Sequence, residues 1–338
     1  MPRSQWEEAS HPAMKTITLE EHFVTESVLK ATGAYGINAP PPLAEIQPKL
    51  LDLGAERIAA MDEAGIDLQV MSLAVMGIDK LEPAAATALM TDVNNELTEA
   101  IKANPTRLAG FAALNLQDPE SAAKELERCV TKLGFVGALV NGTVLSSEGP
   151  LFLDDARFAP FWEAAVQLKV PVYLHPAPPP KIVQKAYFSG LPGDLGMLLS
   201  IAGWGWHAEV GLHTLRLIVS GLFDRFSELQ LIIGHMGEGL PYALARSSGI
   251  LSRPAHLKQT VADYFRTNIH LTTSGYFSQP PLRCAVEVVG IDRMLFSVDY
   301  PFSPNVHGRK FLKEAAEWLG EAEMEKLKGG NAERVLKL

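Results

Sequence analysis

Cysteine is nearly absent from this chain: its 338 residues contain two, Cys129 and Cys284. They match no zinc-thiolate spacing and no disulfide framework, so a reducing compartment is the default. Positive charge is also scarce. The 30 Lys and Arg are outnumbered by 39 Asp and Glu, and the net charge is −9. The basic residues are scattered rather than gathered in a stripe, which argues against nucleic-acid binding. No apolar run approaches the ~20 residues that span a bilayer. Met1 to Ala13 is polar and lacks the apolar segment of a signal peptide. These absences lead to the expectation of a cytoplasmic protein with neither nucleic acid nor membrane as partner. A Gly-x-Ser-x-Gly elbow is missing and neither cysteine has a nearby base, so a covalent nucleophile has little support. The glycines of Gly234–Gly239 lack the Lys-Ser/Thr tail of a phosphate loop.

What remains is an ordinary globular composition, 47% hydrophobic and 20% charged, ample for a large core. Strand-like runs fall at Thr16–His22, Leu68–Leu73, Leu108–Leu114, Phe135–Val140, Val170–His175, Gln230–Gly234, Asn268–Thr272 and Met294–Asp299. Helical patterns separate most of them, at 84–103, 119–133, Phe158–Leu168, Glu209–Leu222, Leu282–Val289 and Lys310–Leu319. Asp118-Pro119-Glu120 supplies an N-cap with proline in the first turn, and Gly134 a C-cap. Strand and helix alternating about eight times predict an α/β fold with a parallel sheet. An open doubly wound sheet would want a glycine-rich turn after its first strand, and Glu20-Glu21-His22 is the opposite. The expected fold is therefore a (β/α)8 TIM barrel over 14–338, with loop and helix insertions. Residues 1–13 are set aside as an extension. The proline-rich stretches 39–48 and 176–181 read as surface loops over the barrel mouth, and 176–208 as a lid or an oligomer contact.

Several strand-like runs end in groups that can bind a metal. Residues i and i+2 of a strand share a face. Simple alternation thus places Thr16, Thr18, Glu20 and His22 on one face and Ile17, Leu19 and Glu21 on the other. His175 closes an apolar strand and is stopped there by Pro176. His235 follows Leu231-Ile232-Ile233-Gly234, and Glu238, three residues on, could orient its ring. Asp299 ends Met294-Leu295-Phe296-Ser297-Val298. In a closed barrel these strand ends converge on one pocket, and mixed carboxylate and imidazole donors suit a divalent ion. Read alone, each residue has a plainer role, as a core histidine, a salt-bridged pair or a helix cap. His207, His213, His256, His270 and His307 show no partner pattern and read as surface or core residues.

The stretches Leu19-Glu20-Glu21-His22-Phe23, Leu133–Gly142, Tyr173-Leu174-His175-Pro176, Gly234–Tyr242 and Phe296–Phe302 resemble those of the metal-dependent decarboxylases of the amidohydrolase superfamily. The resemblance runs from about Met14 to the C-terminus. It implies a barrel, one divalent ion (zinc or manganese, with magnesium possible), no organic cofactor, and a homo-oligomer, either tetramer or dimer. By the same resemblance, Glu20, His22, His175 and Asp299 hold the metal. Asp299, His235 and Glu238 are catalytic, while Phe23, Asn141, Arg246 and Phe302 meet the substrate. The implied reaction is loss of CO2 from an ortho-hydroxy aromatic acid of the resorcylate type, by protonation of the ring carbon from Asp299. Glutamate in place of the first histidine of His-x-His separates the chain from the hydrolytic branch, and His22 points to the resorcylate type. Ser303, Tyr300 and the run Gly203-Trp204-Gly205-Trp206-His207 depart from the usual pattern. A metal-dependent hydrolase of a cyclic ester or amide, and a barrel that only binds ligand, are the alternatives left open.

Overall fold

The structure is a computed structural model that describes residues 15–33, 41–74, 78–146, 149–253 and 257–338. The extension 1–13, residues 39–40 of the first proline-rich stretch, and His256 lie outside the described residues. Eight strands form one sheet: β1 (Ile17–Phe23), β2 (Leu68–Leu73), β3 (Leu108–Ala113), β4 (Gly137–Asn141), β7 (Val172–His175), β8 (Leu231–Ile233), β9 (Ile269–Thr272) and β10 (Met294–Leu295). Every neighbouring pair in it is parallel. A short antiparallel hairpin, β5 (Val144–Ser146) and β6 (Gly149–Leu151), follows β4 as an insertion. Helices separate the strands, as expected of a (β/α)8 barrel.

The strands are buried on both faces, which explains their near-continuous apolar runs. One apolar cluster fills the barrel and includes Ile17, Leu19, Val70, Phe111, Leu139, Tyr173, Ile232 and Leu295. A larger one lies between sheet and helices and takes Phe23, Met71, Leu73, Val140 and Ile233. Between β1 and β10, individual bonds join the chain segments. The His22 N–H donates to the Tyr300 carbonyl at 2.6 Å, and Ser297 Oγ donates to the Leu19 carbonyl.

Two expectations need correction. The stretch 39–48 is not a loop where it is described, because Pro41–Leu51 is a helix. Its far end is useful to the barrel, since the Leu50 carbonyl accepts from Val24 N–H and the Lys49 carbonyl from buried Arg57. The last strand is also shorter than its apolar run: β10 stops at Leu295, and Phe296–Asp299 continue without a ladder. The stretch 176–208 carries two short helices, Lys181–Phe188 and Leu195–Ser200, with Ile182, Tyr187 and Leu195 exposed. Among the described residues no helix is long and apolar enough to cross a membrane.

Candidate metal and acid–base centre

Strict alternation along β1 would not build this site. Ile17 and Leu19 point into the barrel, so Glu21 would follow them and both Glu20 and His22 would face the helices. A β-bulge prevents this. Leu19 pairs with Val70 and Glu21 with the very next residue, Met71, leaving Glu20 as the extra residue. Glu20 sits in the left-handed region at φ 68°, a conformation that costs a non-glycine residue about 1–2 kcal/mol. The result is that Leu19, Glu20 and His22 all face inward while Glu21 faces out. The grouping of Glu20 with His22 holds, but that of Thr16 and Thr18 with them does not.

Glu20 is fully buried, and its two oxygens are treated differently. Oε2 accepts from the hydroxyls of Tyr173 and Ser274. Those two belong to a hydroxyl cluster with Thr272, whose Oγ1 lies 2.7 Å from Tyr173 Oη. Gly234 leaves room for this arrangement, since a Cβ there would stand 3.0 Å from both Glu20 Oε2 and Tyr173 Oη. Oε1 has no hydrogen-bond partner among the described residues. It faces His175 Nε2 at 3.3 Å and His235 Nε2 at 3.9 Å.

His175 and His22 are each held by the ring nitrogen that points away. His175 Nδ1 is 3.0 Å from Asn141 Oδ1, and His22 Nδ1 is 3.2 Å from Ser72 Oγ. Their Nε2 atoms are thereby aimed at carboxylates, His22 Nε2 lying 3.3 Å from Asp299 Oδ1. Donor atoms of Glu20, His22 and His175 fall within 4.8 Å of one another. A buried carboxylate oxygen without a partner is costly, and histidines fixed through one nitrogen with the other presented inward suit a divalent ion. The donor set fits such an ion on chemistry as well as on geometry.

Electrostatics point the same way. Burial raises the Glu20 carboxyl above its ordinary range, against the pull of His235 and His22. Burial, followed by the neighbouring His22 and His235, pushes His175 well below the usual histidine value. Four ionisable groups thus crowd a space where the protein alone cannot charge them all.

A second cluster adjoins the first. His235 opens a tight left-handed turn (φ 49°, 56° and 56° at His235, Met236 and Glu238). The turn folds Glu238 back so that Oε1 lies 2.7 Å from His235 Nδ1. Glu238 Oε2 lies 2.6 Å from His207 Nδ1. Burial opposes charge on Glu238, but His235 and His207 outweigh it and lower the carboxyl to about 2. Burial also opposes charge on His235, and the carboxylates of Glu238 and Glu20 raise it to about 10. Here both carboxylate oxygens have partners, so the cluster does not ask for an ion as Glu20 does. No sequence pattern marks His207 as a partner of Glu238, because it lies 31 residues earlier and in a different helix.

The other expected residues are spread more widely. Phe302 is half-exposed, with its ring edge-on to His22 at 5.6 Å. Asn141 serves His175, as described. Phe23 is buried in the apolar layer between sheet and helices. Arg246 is exposed on the helix Leu240–Leu251 and is not in either cluster. Glu21 is an addition: from the outer side of β1 its Oε1 accepts the Val298 N–H at 2.9 Å and its Oε2 the Tyr300 N–H at 3.0 Å.

Comparisons with known proteins bear on the family and the fold. The amidohydrolase family model matches residues 46–338. The γ-resorcylate decarboxylase of Polaromonas sp. JS666 is 40% identical over 330 residues, spanning 95% of this chain and 98% of that protein. A crystal structure of a 2,6-dihydroxybenzoate decarboxylase with 2,6-dihydroxybenzoate bound superposes with a TM-score of 0.87 at 37% identity, covering 96% of this chain and 100% of that one. So does the structure of a dihydroxybenzoic acid decarboxylase from Polaromonas sp. JS666 holding manganese and 2-nitroresorcinol. Its TM-score is 0.87 at 39% identity, over 96% of this chain and 97% of that one.

Proposed function

The chain belongs to the amidohydrolase family, and on that premise we propose that it is a metal-dependent aromatic-acid decarboxylase acting on an ortho-hydroxy acid of the dihydroxybenzoate type. The observation that carries this reading is the unpartnered inner oxygen of Glu20, with His175 3.3 Å away, His22 in the same donor cluster and Asp299 against His22. Glu20, His22, His175 and Asp299 would hold the ion, and the relative with bound manganese favours that metal over zinc. When bound, the ion supplies Lewis-acid attraction for the substrate's carboxylate and ortho-hydroxyl oxygens.

Asp299 carries the proton. The ortho hydroxyl gives its proton to Asp299, which passes it to the ring carbon bearing the carboxylate. A C–H bond forms there. The C–C bond to the carboxylate then breaks, and its electron pair restores the aromatic sextet. CO2 leaves, and the phenolate takes a proton from solvent. Every step is reversible, so the same groups serve carboxylation. His22 Nε2 and Asp299 Oδ1, 3.3 Å apart, are neighbouring donor atoms that would both face the ion. His235, with Glu238 behind it, presents Nε2 on the Glu20 side of the site. Phe302, in edge-to-face contact with His22, offers a ring against which the substrate ring can pack. The exposed apolar residues of 182–199, together with Trp204, fit a homo-oligomer in which this surface meets a second copy.

The test is metal analysis of the purified protein followed by CO2 release from 2,6-dihydroxybenzoate. Stoichiometric bound metal and CO2 evolution that a chelator abolishes are the expected results. Solvent oxygen incorporated into a product with no CO2 released would overturn the reading in favour of hydrolysis.

A further inference from the structure

The run Gly203-Trp204-Gly205-Trp206-His207 is absorbed by neither the fold nor the metal cluster, yet the backbone here is shaped around it. Trp204 N–H donates to the Ile201 carbonyl, and the helix Gly205–Val219 starts directly after. A Cβ on Gly205 would stand 2.2 Å from the Ser200 carbonyl oxygen, so no side chain fits there. This packing seats His207 in the helix's first turn, almost fully buried. Its two ring nitrogens reach in different directions. Nδ1 lies 2.6 Å from Glu238 Oε2, and Nε2 lies 3.1 Å from the Ala202 carbonyl. The Glu238 carboxylate only accepts, so the bond to it runs from the imidazole Nδ1–H. The ring also meets His235 edge-on at 4.8 Å and Tyr276 at 5.4 Å.

We infer that His207 is a positioning residue, a strut from the first turn of the helix Gly205–Val219 to the carboxylate that orients His235. Glu238 has one oxygen for each imidazole. Held by His207 on Oε2, it cannot swing, and Oε1 stays on His235 Nδ1. His235 Nε2 is thereby kept on the Glu20 side of the site. Without the strut, Glu238 has a free oxygen and a choice of rotamers, and His235 loses its fixed direction. Loss of orientation acts on the chemical step more than on substrate affinity.

The role in catalysis rests on the decarboxylase reading, and the test separates the two. CO2 release from 2,6-dihydroxybenzoate is measured for wild type, His207→Leu and His207→Asn, each loaded with metal. Leucine keeps much of the volume but has no donor, whereas the asparagine amide can donate where Nδ1 did. The expected result is a kcat lower by about tenfold in His207→Leu with KM changed little, and recovery of most of that loss in His207→Asn. A His207→Leu kcat within about twofold of wild type, or His207→Asn as poor as His207→Leu, overturns the strut. Wild type without turnover would sink the decarboxylase reading alone. The strut is then decided by NMR on zinc-loaded protein, through the downfield ring N–H proton of the His235–Glu238 bond. Its loss or upfield movement in His207→Leu and retention in His207→Asn support the strut. An unchanged resonance in His207→Leu overturns it.

Discussion

Glu21 straddles Asp299: its carboxylate takes the backbone N–H groups on either side, Val298 at 2.9 Å and Tyr300 at 3.0 Å. Asp299 itself is held at φ 68°, a conformation that needs outside support in a non-glycine residue. Glu21 supplies that support from behind the sheet, where burial raises its own carboxyl to about 7 against the pull of those two N–H groups. Glutamine can accept only one of the two bonds and turns an N–H toward the other. Glu21→Gln is expected to lower stability by about 1–3 kcal/mol, the cost of an unmet buried donor. It is also expected to lower kcat by about tenfold or more as Asp299 loses its placement. Thermal melts and initial rates check both. A variant with wild-type melting and turnover would show that Asp299 holds itself.

Tyr173 and Ser274 together occupy the outer oxygen of Glu20 and leave the inner one free. Removing the Tyr173 hydroxyl lets the carboxylate rotate. Tyr173→Phe is expected to weaken metal binding by about ten- to a hundredfold, as lost support behind a ligand generally does. Competition with a chelating dye reads this directly. Unchanged affinity would assign the hydroxyl cluster to packing alone.

Much of this arrangement is legible in the sequence, for identifiable reasons. Seven of the eight barrel strands follow their apolar runs closely, because parallel strands buried on both sides must be apolar throughout. The helix Pro119–Leu133 matches its caps at both ends, since Asp118 and Gly134 act locally. Glu20 and His22 do share the interior, but through a bulge that a period-two argument cannot see. Asp299 stands four residues beyond the last strand, where a side chain from β1 holds the backbone instead of a ladder. His207 is invisible to pattern reading because its partner lies in another turn and only the fold joins them. The helix over 41–51 was hidden by its prolines: proline opens a helix readily, so composition alone misleads.

Asp299 sits 3.3 Å from His22 Nε2 and is partly open to solvent, a place where it can exchange a proton. Asparagine keeps the shape and an oxygen but cannot deliver the proton. Asp299→Asn is therefore expected to lower turnover by about 10³-fold or more, while 2,6-dihydroxybenzoate still binds. Isothermal titration beside a CO2 assay separates the two effects. Turnover near wild type would remove Asp299 as the proton donor.

His213 tests the fold rather than the site. Its Nε2 accepts the Leu153 N–H at 2.8 Å, which requires the ring to be neutral there. Burial lowers its pKa from 6.5 to about 4, against a smaller opposing pull from Asp154. The unfolded chain takes up this proton near pH 6.5 and the folded one only near pH 4, so the unfolded state binds more protons between those values. Stability from this group is full above the upper value and falls as pH drops through the window, by about 3 kcal/mol in all. His213→Gln removes the titration and keeps an oxygen that can accept from Leu153. The melting-temperature gap between wild type and His213→Gln is thus expected to narrow or invert as pH falls from above 6.5 toward 4. Parallel decline of the two proteins would mean that His213 charges in the fold as freely as in the unfolded chain.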